Sequence, residues 1–210
     1  MAGHKVAIIT DTHFGIRKGS QIFHDYFKDF YDRTFFPALD SGSIDTVVHL
    51  GDCFDVRKGI DYWSLDWAKT NFFDPLRERG IQLHLIVGNH DIFYKQSLSL
   101  NSARLNLSEY ENITIYDRPQ TAVIKEVPVF IVPWLCEDNA EEFVDELDKT
   151  SSQLAWGHLE LAGFYANKDY QCQHGTDPKV FDRFDKVFSG HFHKKNSAGN
   201  VTYLGNPYQL

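Results

Sequence analysis

The chain has 210 residues, 42% of them hydrophobic and 24% charged, which is the composition and length of one large globular domain. Its formal charge of −8 argues against a generally basic nucleic-acid coat, although a local basic patch stays compatible with it. Its longest apolar runs fall far short of the roughly twenty residues that span a bilayer, so we expect no membrane partner.

The first half of the chain alternates short strands with helices. Lys5–Thr10, Asp45–Leu50 and Ile81–Val87 are short β-rich runs. The apolar spacing between them is helical, from about Ser20 to Leu39 and from about Asp61 to Arg79. This β-α-β-α-β order predicts parallel strand pairing with right-handed crossovers.

The second half changes character. Its short extended runs are separated by turn residues, which predicts a meander or hairpins instead of further crossovers. The runs are Ile113–Tyr116, Thr121–Lys125 and Val129–Val132, and three later strands are expected at Gln153–Trp156, Lys186–Ser189 and Val201–Leu204. Between these groups, Glu137–Lys149 carries seven acidic side chains and predicts a solvated helix with Phe143, Val144 and Leu147 facing inward.

Polar side chains follow five of these strands at the point where each strand ends. The five segments read Asp11-Thr12-His13, Gly51-Asp52, Gly88-Asn89-His90-Asp91, Gly157-His158 and Gly190-His191-Phe192-His193. Ligands of open α/β sheets bind just outside the carboxyl ends of the strands. Carboxylate, imidazole and amide groups suit Mn, Fe or Zn, so the segments predict a divalent-metal site.

Two of these segments space their polar side chains two residues apart. The pairs are Asp11 with His13 and His191 with His193. In extended backbone this spacing places both side chains on one side, so we expect each pair to hold a metal together.

The other histidines lack such a pattern. His49 and His84 lie inside expected strands, where hydrogen-bonded packing is the favoured interpretation. His174 lies in an expected loop, and a substrate-side role is left open for it.

Taken together, the five segments resemble the five blocks of the calcineurin-like metallophosphoesterases, in the family's order and from about residue 5 to 205. The resemblance implies an α/β fold with mixed sheets: a four-layer αββα sandwich with a dinuclear metal site at the strand C-terminal ends. It implies one metal held by Asp11, His13, Asp52 and His193, and another held by Asp52, Asn89, His158 and His191, with Asp52 bridging.

The resemblance also implies a chemistry. Two divalent ions, Mn²⁺ first and Fe²⁺, Zn²⁺ or Mg²⁺ as alternatives, would activate water and clamp phosphoryl oxygens for in-line displacement. His90 would protonate the departing oxygen or stabilise charge in the transition state, with Asp91 orienting its ring.

Three segments of the sequence resemble the corresponding motifs of DNA nucleases within this family. Gly51-Asp52-Cys53-Phe54-Asp55 is similar to the GD-x-FD of SbcD-type repair nucleases, and 11–15 is similar to their DxHLG opening, with Phe in place of Leu. The phosphatase form, GD-x-VDRG, has arginine directly after the second Asp, whereas Val56 intervenes here before Arg57. Residues 157–165 are similar to phage recombination endonuclease subunits. We therefore expect a Mn-dependent DNA exonuclease or endonuclease core acting at 3′ ends or on single strands.

Basic side chains near the expected metal ligands are compatible with a DNA substrate. Phosphate contacts supply most sequence-independent DNA affinity, and a local patch suffices for them. The seven candidates are Arg17, Lys18, Arg57, Lys58, Lys95, Lys194 and Lys195.

Such nucleases continue into a DNA-capping domain and a segment that docks an SMC-like ATPase. We expect residues 1–210 to be a single nuclease-core domain without these regions, with the ATPase a partner in the full-length system and a homodimer left open. The three cysteines form no CxxC pair, and no secretory signal opens the chain, so we expect the reducing cytoplasm of a bacterial or phage-infected cell.

Two other functions stay open on the sequence. One is a small-substrate phosphodiesterase or phosphatase with the same metals. The other is a metal-poor binding subunit that has lost catalysis, against which the full set of ligand residues argues.

Overall fold

The computed structural model describes residues 4–166 and 170–208. Its strands are, in chain order, β1 (Ala7–Ile9), β2 (Thr46–His49), β3 (Gln82–Ile86), β4 (Ile92–Tyr94), β5 (Ser97–Asn101), β6 (Ile113–Tyr116), β7 (Gln120–Ile124), β8 (Val127–Val132), β9 (Leu154–His158), β10 (Lys186–Gly190), β11 (Asn196–Ala198) and β12 (Val201–Tyr203).

Two long helices follow β1 and β2, as the apolar spacing predicts, and each contains a π-helical stretch. Helix α1 comprises Gln21–Phe30, Tyr31–Phe35 and Phe36–Gly42, and helix α2 comprises Tyr62–Ala68, Lys69–Phe73 and Asp74–Glu78. The shorter helices are α3 (Ser102–Leu107) and α4 (Ala140–Lys149), with 3-10 turns at Glu137–Asn139 and Pro178–Phe181. Asp61 begins α2, since its side chain accepts the Ser64 N–H at 2.9 Å.

The strands form two main sheets. The first has the order β1-β2-β3-β6 and is parallel throughout, which confirms the β-α-β-α-β interpretation. The second is mixed, with the order β11-β12-β10-β9-β8-β7. Its central strands are parallel, and its two edge strands are antiparallel to their neighbours.

The expectation of hairpins in the middle of the chain is correct for β7 and β8 and wrong for β6. β6 pairs in parallel with β3, after a crossover that contains α3. The sequence pattern missed the hairpin of β4 and β5 together with α3, because these elements are short and interrupted by polar residues.

Apolar side chains alternate along the strands and fill both faces of each sheet. In β2, Val48 packs between the sheets while Val47 packs under the helices of the first sheet. In β8, Ile131 packs between the sheets while Phe130 faces the core beneath α4. The two sheets therefore lie face to face with helices outside, which confirms the four-layer αββα sandwich.

One part of the expectation for the acidic helix is wrong. Phe143 is buried and Leu147, one turn later, is partly buried against the same core, but Val144 is 54% exposed. Val144 lies about 100° round the helix from Phe143, on the solvated face.

The C-terminal end of the described chain returns to the first sheet. The Tyr208 ring stacks on Phe27 of α1 with centroids 3.8 Å apart, and its hydroxyl donates to the Thr12 carbonyl at 2.5 Å. Thr12 lies between two expected metal ligands, so this contact braces the loop that carries them.

None of the helices within 4–166 and 170–208 combines the length and apolarity that crossing a bilayer requires. Within the same residues, Cys53, Cys136 and Cys172 are free thiols.

Candidate metal centre

The side chains that follow β1, β2, β3, β9 and β10 meet at one edge of the sandwich, in two adjoining groups. In the first group, the Nε2 atoms of His13 and His193 lie 3.0 Å apart. Asp11 Oδ1 is 4.0 Å from His13 Nε2 and 3.9 Å from His193 Nε2. Two nitrogens bound to one metal at about 2.1 Å and at right angles are about 3.0 Å apart, so this spacing fits ligands of a single ion.

The second group consists of Asn89, His158 and His191 around the Asp52 carboxylate. Asn89 Oδ1 lies 3.0 Å from His158 Nε2 and 2.8 Å from His191 Nδ1. Asp52 Oδ2 lies 3.2 Å from His158 Nε2 and 3.9 Å from His13 Nε2 of the first group. One oxygen of Asp52 thus lies between the two groups.

In three of the four histidines, the ring nitrogen that points away from the centre faces an oxygen atom. His158 Nδ1 donates to the Leu50 carbonyl at 2.8 Å. His13 Nδ1 lies 3.3 Å from Asp55 Oδ1, and His191 Nε2 lies 3.6 Å from Glu160 Oε1. A partner on the outer nitrogen orients the ring so that the inner nitrogen is aimed inward, as in histidine–metal sites. The donor set therefore fits two divalent ions.

The backbone reaches this arrangement through left-handed conformations. The φ angles are 51° at Asp11, 45° at His13, 54° at Asp52 and 87° at His191. Non-glycine residues rarely adopt such angles, and the strain they carry is concentrated at functional sites.

This geometry corrects the interpretation of the two-residue spacing. Asp11 and His13 do share a group, but through left-handed backbone after β1 has ended at Ile9. His191 and His193 do not hold one position together, because His191 faces Asn89 while His193 faces His13. Alternation of side chains holds only in extended strands, and neither pair lies in one.

Two of the glycines at the strand ends make room for the ligand side chains themselves. At Gly51, φ is +105° and a Cβ would come within 2.5 Å of His158 Nδ1. A Cβ on Gly88 would collide with the backbone nitrogen and the carboxylate of Asp52. Glycine is needed at both positions because the backbone passes close to another protein group of the centre, which leaves no room for a side chain.

Asp91 has a different role from the one expected. Its buried carboxylate accepts hydrogen bonds at 2.9–3.3 Å from four backbone N–H groups, those of Gly88, Asp52, Cys53 and Phe54. Within the described chain, no hydrogen bond joins Asp91 to the ring of His90. That ring donates from Nδ1 to the Asp55 carbonyl at 2.5 Å. Asp91 thus organises the loops after β2 and β3, and the Asp55 backbone orients His90.

Burial and charge oppose each other within the centre. Burial raises the pKa of the Asp52 carboxyl, but the charges of His158, His13 and His90 outweigh this and hold it below its usual range. Burial alone lowers the pKa of His158, yet the Asp52 carboxylate raises it to about 9. Burial and the Asp52 charge raise the pKa of Asp91 to about 6. Without metal, the centre thus brings several ionisable carboxyl and imidazole groups close together, and bound cations would neutralise the negative charge of the carboxylates.

The seven basic side chains expected near DNA are exposed, apart from half-buried Arg57. Within 4–166 and 170–208, none of them forms an ion pair, whereas nine other Lys and Arg residues do. Arg57, Lys58 and Lys95 line a groove of about 640 Å³ together with His90. Lys18 lines a neighbouring depression of about 230 Å³.

Three further histidines, His49, His84 and His174, belong to neither group. His49 is buried, with Nε2 3.0 Å from Thr12 Oγ1 and Nδ1 accepting the Gly51 N–H, so it packs as expected. His84 Nδ1 lies 2.8 Å from the Tyr116 hydroxyl, also inside the fold. His174 is exposed, and its role stays a prediction.

The sequence interpretation missed three residues of the centre. Asp55 and Glu160 support His13 and His191, and the Trp134 ring lies 5.0 Å from the His191 ring. Trp134 follows the end of β8, which pairs in parallel with β9. Trp134, like the predicted ligands, therefore follows the carboxyl end of a parallel strand.

Comparisons with known proteins agree with this geometry. The model of the calcineurin-like phosphoesterase family matches residues 4–195. The chain is 34% identical over 206 residues to exonuclease subunit 1 of Enterobacteria phage T4, a match that covers 98% of this chain and 60% of that protein. The chain thus spans less than two thirds of the length of this curated relative.

Two solved structures are similar to this one. TT1561 of Thermus thermophilus superposes with a TM-score of 0.55 at 11% identity, covering 96% of this chain and 89% of that one, which shows the fold. The nuclease MPE of Pseudomonas putida gives a TM-score of 0.48 at 18% identity, covering 98% and 76%.

Proposed function

Because the chain belongs to the calcineurin-like phosphoesterase family, we propose that it hydrolyses phosphodiester bonds of DNA, as the catalytic core of a recombination or repair nuclease. The observation that carries the proposal is the convergence of seven donor side chains in two groups that share Asp52. One ion would be held by Asp11, His13, Asp52 and His193, and the other by Asp52, Asn89, His158 and His191. Carboxylate, imidazole and amide donors suit Mn²⁺.

When bound, such ions supply activation of an attacking water and neutralisation of the phosphoryl oxygens. His90 lines the groove beside the centre, and its ring centroid lies 4.9 Å from that of His13. Since Nδ1 already donates to the Asp55 carbonyl, the second nitrogen can give a proton only from the imidazolium form. His90 would then protonate the leaving oxygen from Nε2.

Two observations favour DNA over a small ester. The relative in phage T4 carries the name exonuclease subunit, and Arg57, Lys58 and Lys95, which line the groove beside His90, form no ion pair within the described chain. Unpaired cations along a groove are available to a phosphate backbone without an ion pair having to break. The same name makes a partner subunit part of the proposal, of the SMC-like ATPase type that the resemblance implies.

The test incubates purified protein and Mn²⁺ with end-labelled single- and double-stranded DNA, and in parallel with a small phosphodiester and a phosphomonoester. We expect DNA cleavage that Asp52→Asn abolishes. Asp148→Asn is the matched control, because Asp148 is exposed on α4 away from the centre. DNA left intact while the small esters turn over would contradict the nuclease proposal and support a small-substrate phosphoesterase.

A further inference from the structure

An apolar recess adjoins the groove that contains His90. The recess has a volume of about 240 Å³ and shares Arg57, Lys58 and Phe93 with the groove. Its other walls include Leu65 of α2 and Leu105 of α3. Pockets for whole drug-sized ligands measure about 300–1,000 Å³, so this recess suits one flat ring system.

Phe93 lines both the recess and the groove and lies three residues after His90. It belongs to the β4–β5 hairpin, which stands apart from both main sheets. Its ring centroid is 4.9 Å from that of Tyr94, at an interplanar angle of 76°, and Tyr94 is 56% exposed. Phe93 is half-buried, so one partly exposed and one exposed aromatic ring beside the groove offer faces on which a ligand ring can stack.

Three cationic side chains line the same groove as these rings. The Lys58 Nζ lies 5.7 Å from the Phe93 centroid, and Lys95 lines the same groove. The Arg57 side chain donates to the Ile92 carbonyl at 3.4 Å, which holds it along the wall. A ring platform with unpaired cations beside it is the arrangement that binds single-stranded nucleic acid, with phosphates on the cations and bases on the rings.

We propose that Phe93 and the recess behind it bind the unpaired base of the nucleotide on the leaving-group side of the scissile phosphate. The site would thereby select single-stranded or frayed DNA, because a base within a duplex is already stacked and cannot enter the recess. This inference rests on the proposed nuclease function. It adds a base-binding subsite that any of the four bases can use, since each offers a π-face.

Binding is tested first, in metal-free protein with chelator, so that no cleavage occurs. The probe is a short single strand with 2-aminopurine at its end, whose fluorescence falls when the base stacks. We expect quenching by the wild-type protein and loss of quenching in Phe93→Leu, which keeps apolar bulk without a ring. Leu105→Gln, at an exposed position that lines the recess, should weaken the quenching, and Val123→Gln on exposed β7 is its matched control.

Cleavage is tested next, with Mn²⁺ and dinucleotides that contain one phosphodiester. Each is made intact and with either base removed. Removal of the leaving-side base should lower wild-type kcat/KM by roughly 5- to 150-fold, the range for the loss of one stacked base. In Phe93→Leu, the ratio of kcat/KM for the intact substrate to kcat/KM for the abasic substrate should fall to near one. This ratio is internal to each variant, so a general loss of activity does not affect it.

The two proposals fail in distinguishable ways. The base-binding subsite alone would be overturned if the wild-type protein cleaved DNA but did not quench the probe, or if it cleaved the intact and the abasic dinucleotide with equal kcat/KM. Wild-type protein that hydrolyses small phosphoesters and leaves every DNA substrate intact would overturn the nuclease function and this inference with it.

Discussion

The Nδ1 atom of His90 lies 2.5 Å from the backbone carbonyl oxygen of Asp55. A carbonyl only accepts hydrogen bonds, so this contact assigns a proton to Nδ1, and in the proposed mechanism Nε2 is the nitrogen that would protonate the leaving oxygen. Because the partner is a backbone atom, substitutions at Asp55 leave the contact in place. The ring of His90 and the side chain of Asp55 can therefore be tested separately.

The first prediction concerns His90. His90→Gln should retain bound metal, because the ring is hydrogen-bonded to the Asp55 carbonyl and, within the described chain, to neither Asp52 nor Asn89, and it should lose about 10²–10⁴-fold in turnover, the usual contribution of a general acid. The measurements are kcat on DNA and metal content by elemental analysis. His4→Gln, at an exposed position, is the matched control. A wild-type rate in His90→Gln would remove the general-acid role.

The second prediction separates the Asp55 side chain from its backbone. Asp55→Ala removes the partner of His13 Nδ1 at 3.3 Å and should weaken metal affinity by about 10–100-fold, whereas Asp55→Asn, whose amide oxygen still accepts a hydrogen bond, should lose less. Metal titration of the apoprotein measures both. Asp148→Ala should bind metal as the wild type does. Equal affinity in Asp55→Ala and the wild type would show that His13 needs no such support.

The third prediction is that metal stabilises the fold. Free metal at 100 times its Kd should add about 2.7 kcal/mol to the free energy of unfolding, and in a chain of this size that raises Tm by about 5–11 °C. Chelator should reverse the shift, and Asp52→Asn should show little of it. Thermal unfolding with and without Mn²⁺ measures it. A Tm that Mn²⁺ leaves unchanged would contradict a preformed metal centre.

The fourth prediction concerns the pH dependence of metal binding. Four of the proposed ligands are histidines, which must be deprotonated to bind metal, and the Asp52 carboxylate raises the pKa of His158 from its ordinary value of about 6.5 to about 9. Metal affinity should therefore fall as pH decreases from 7.5 to 5. Equilibrium dialysis at each pH measures the metal retained. Full occupancy at pH 5 under limiting metal would argue against this ligand set.

The fifth prediction concerns His49. Burial, followed by the charge of His158, lowers the pKa of His49 to about 3 in the folded protein, against about 6.5 in the unfolded chain. Between these values the unfolded chain binds the additional proton, so this group's contribution to stability falls as pH decreases from about 6.5 to about 3. The expected slope is at most about 1.4 kcal/mol per pH unit.

Denaturant unfolding of chelated protein between pH 6.5 and 4.5 tests this slope. His49→Gln should show a smaller decrease in the free energy of unfolding across that range than the wild type, whatever its stability at pH 6.5. Other titrating groups act on both proteins and cancel in the comparison. If the free energy of unfolding fell equally with pH in His49→Gln and in the wild type, His49 would not titrate as its burial indicates.

Much of the fold could be predicted because it depends on local pattern. The strands that lead into Asp11, Asp52 and Asn89 are short apolar runs, and helical spacing between them requires parallel crossovers. The β4–β5 hairpin could not be predicted in this way, since its strands are short and contain polar residues. The parallel placement of β6 was also missed, because an extended run does not reveal which sheet it will join.

The sequence by itself determined which residues could form the centre: strand ends rich in Asp, Asn and His name the donors, since chain order and strand direction bring those ends to one edge. The family resemblance already implied how the donors are divided, with His191 and His193 on different metals. Only the tertiary structure decided how the donors are supported: it assigned Asp91 to backbone N–H groups and placed Asp55 and Glu160 behind the imidazoles of His13 and His191. These relations depend on left-handed turns and on contacts between residues far apart in the chain, and neither leaves a periodic signal in the sequence.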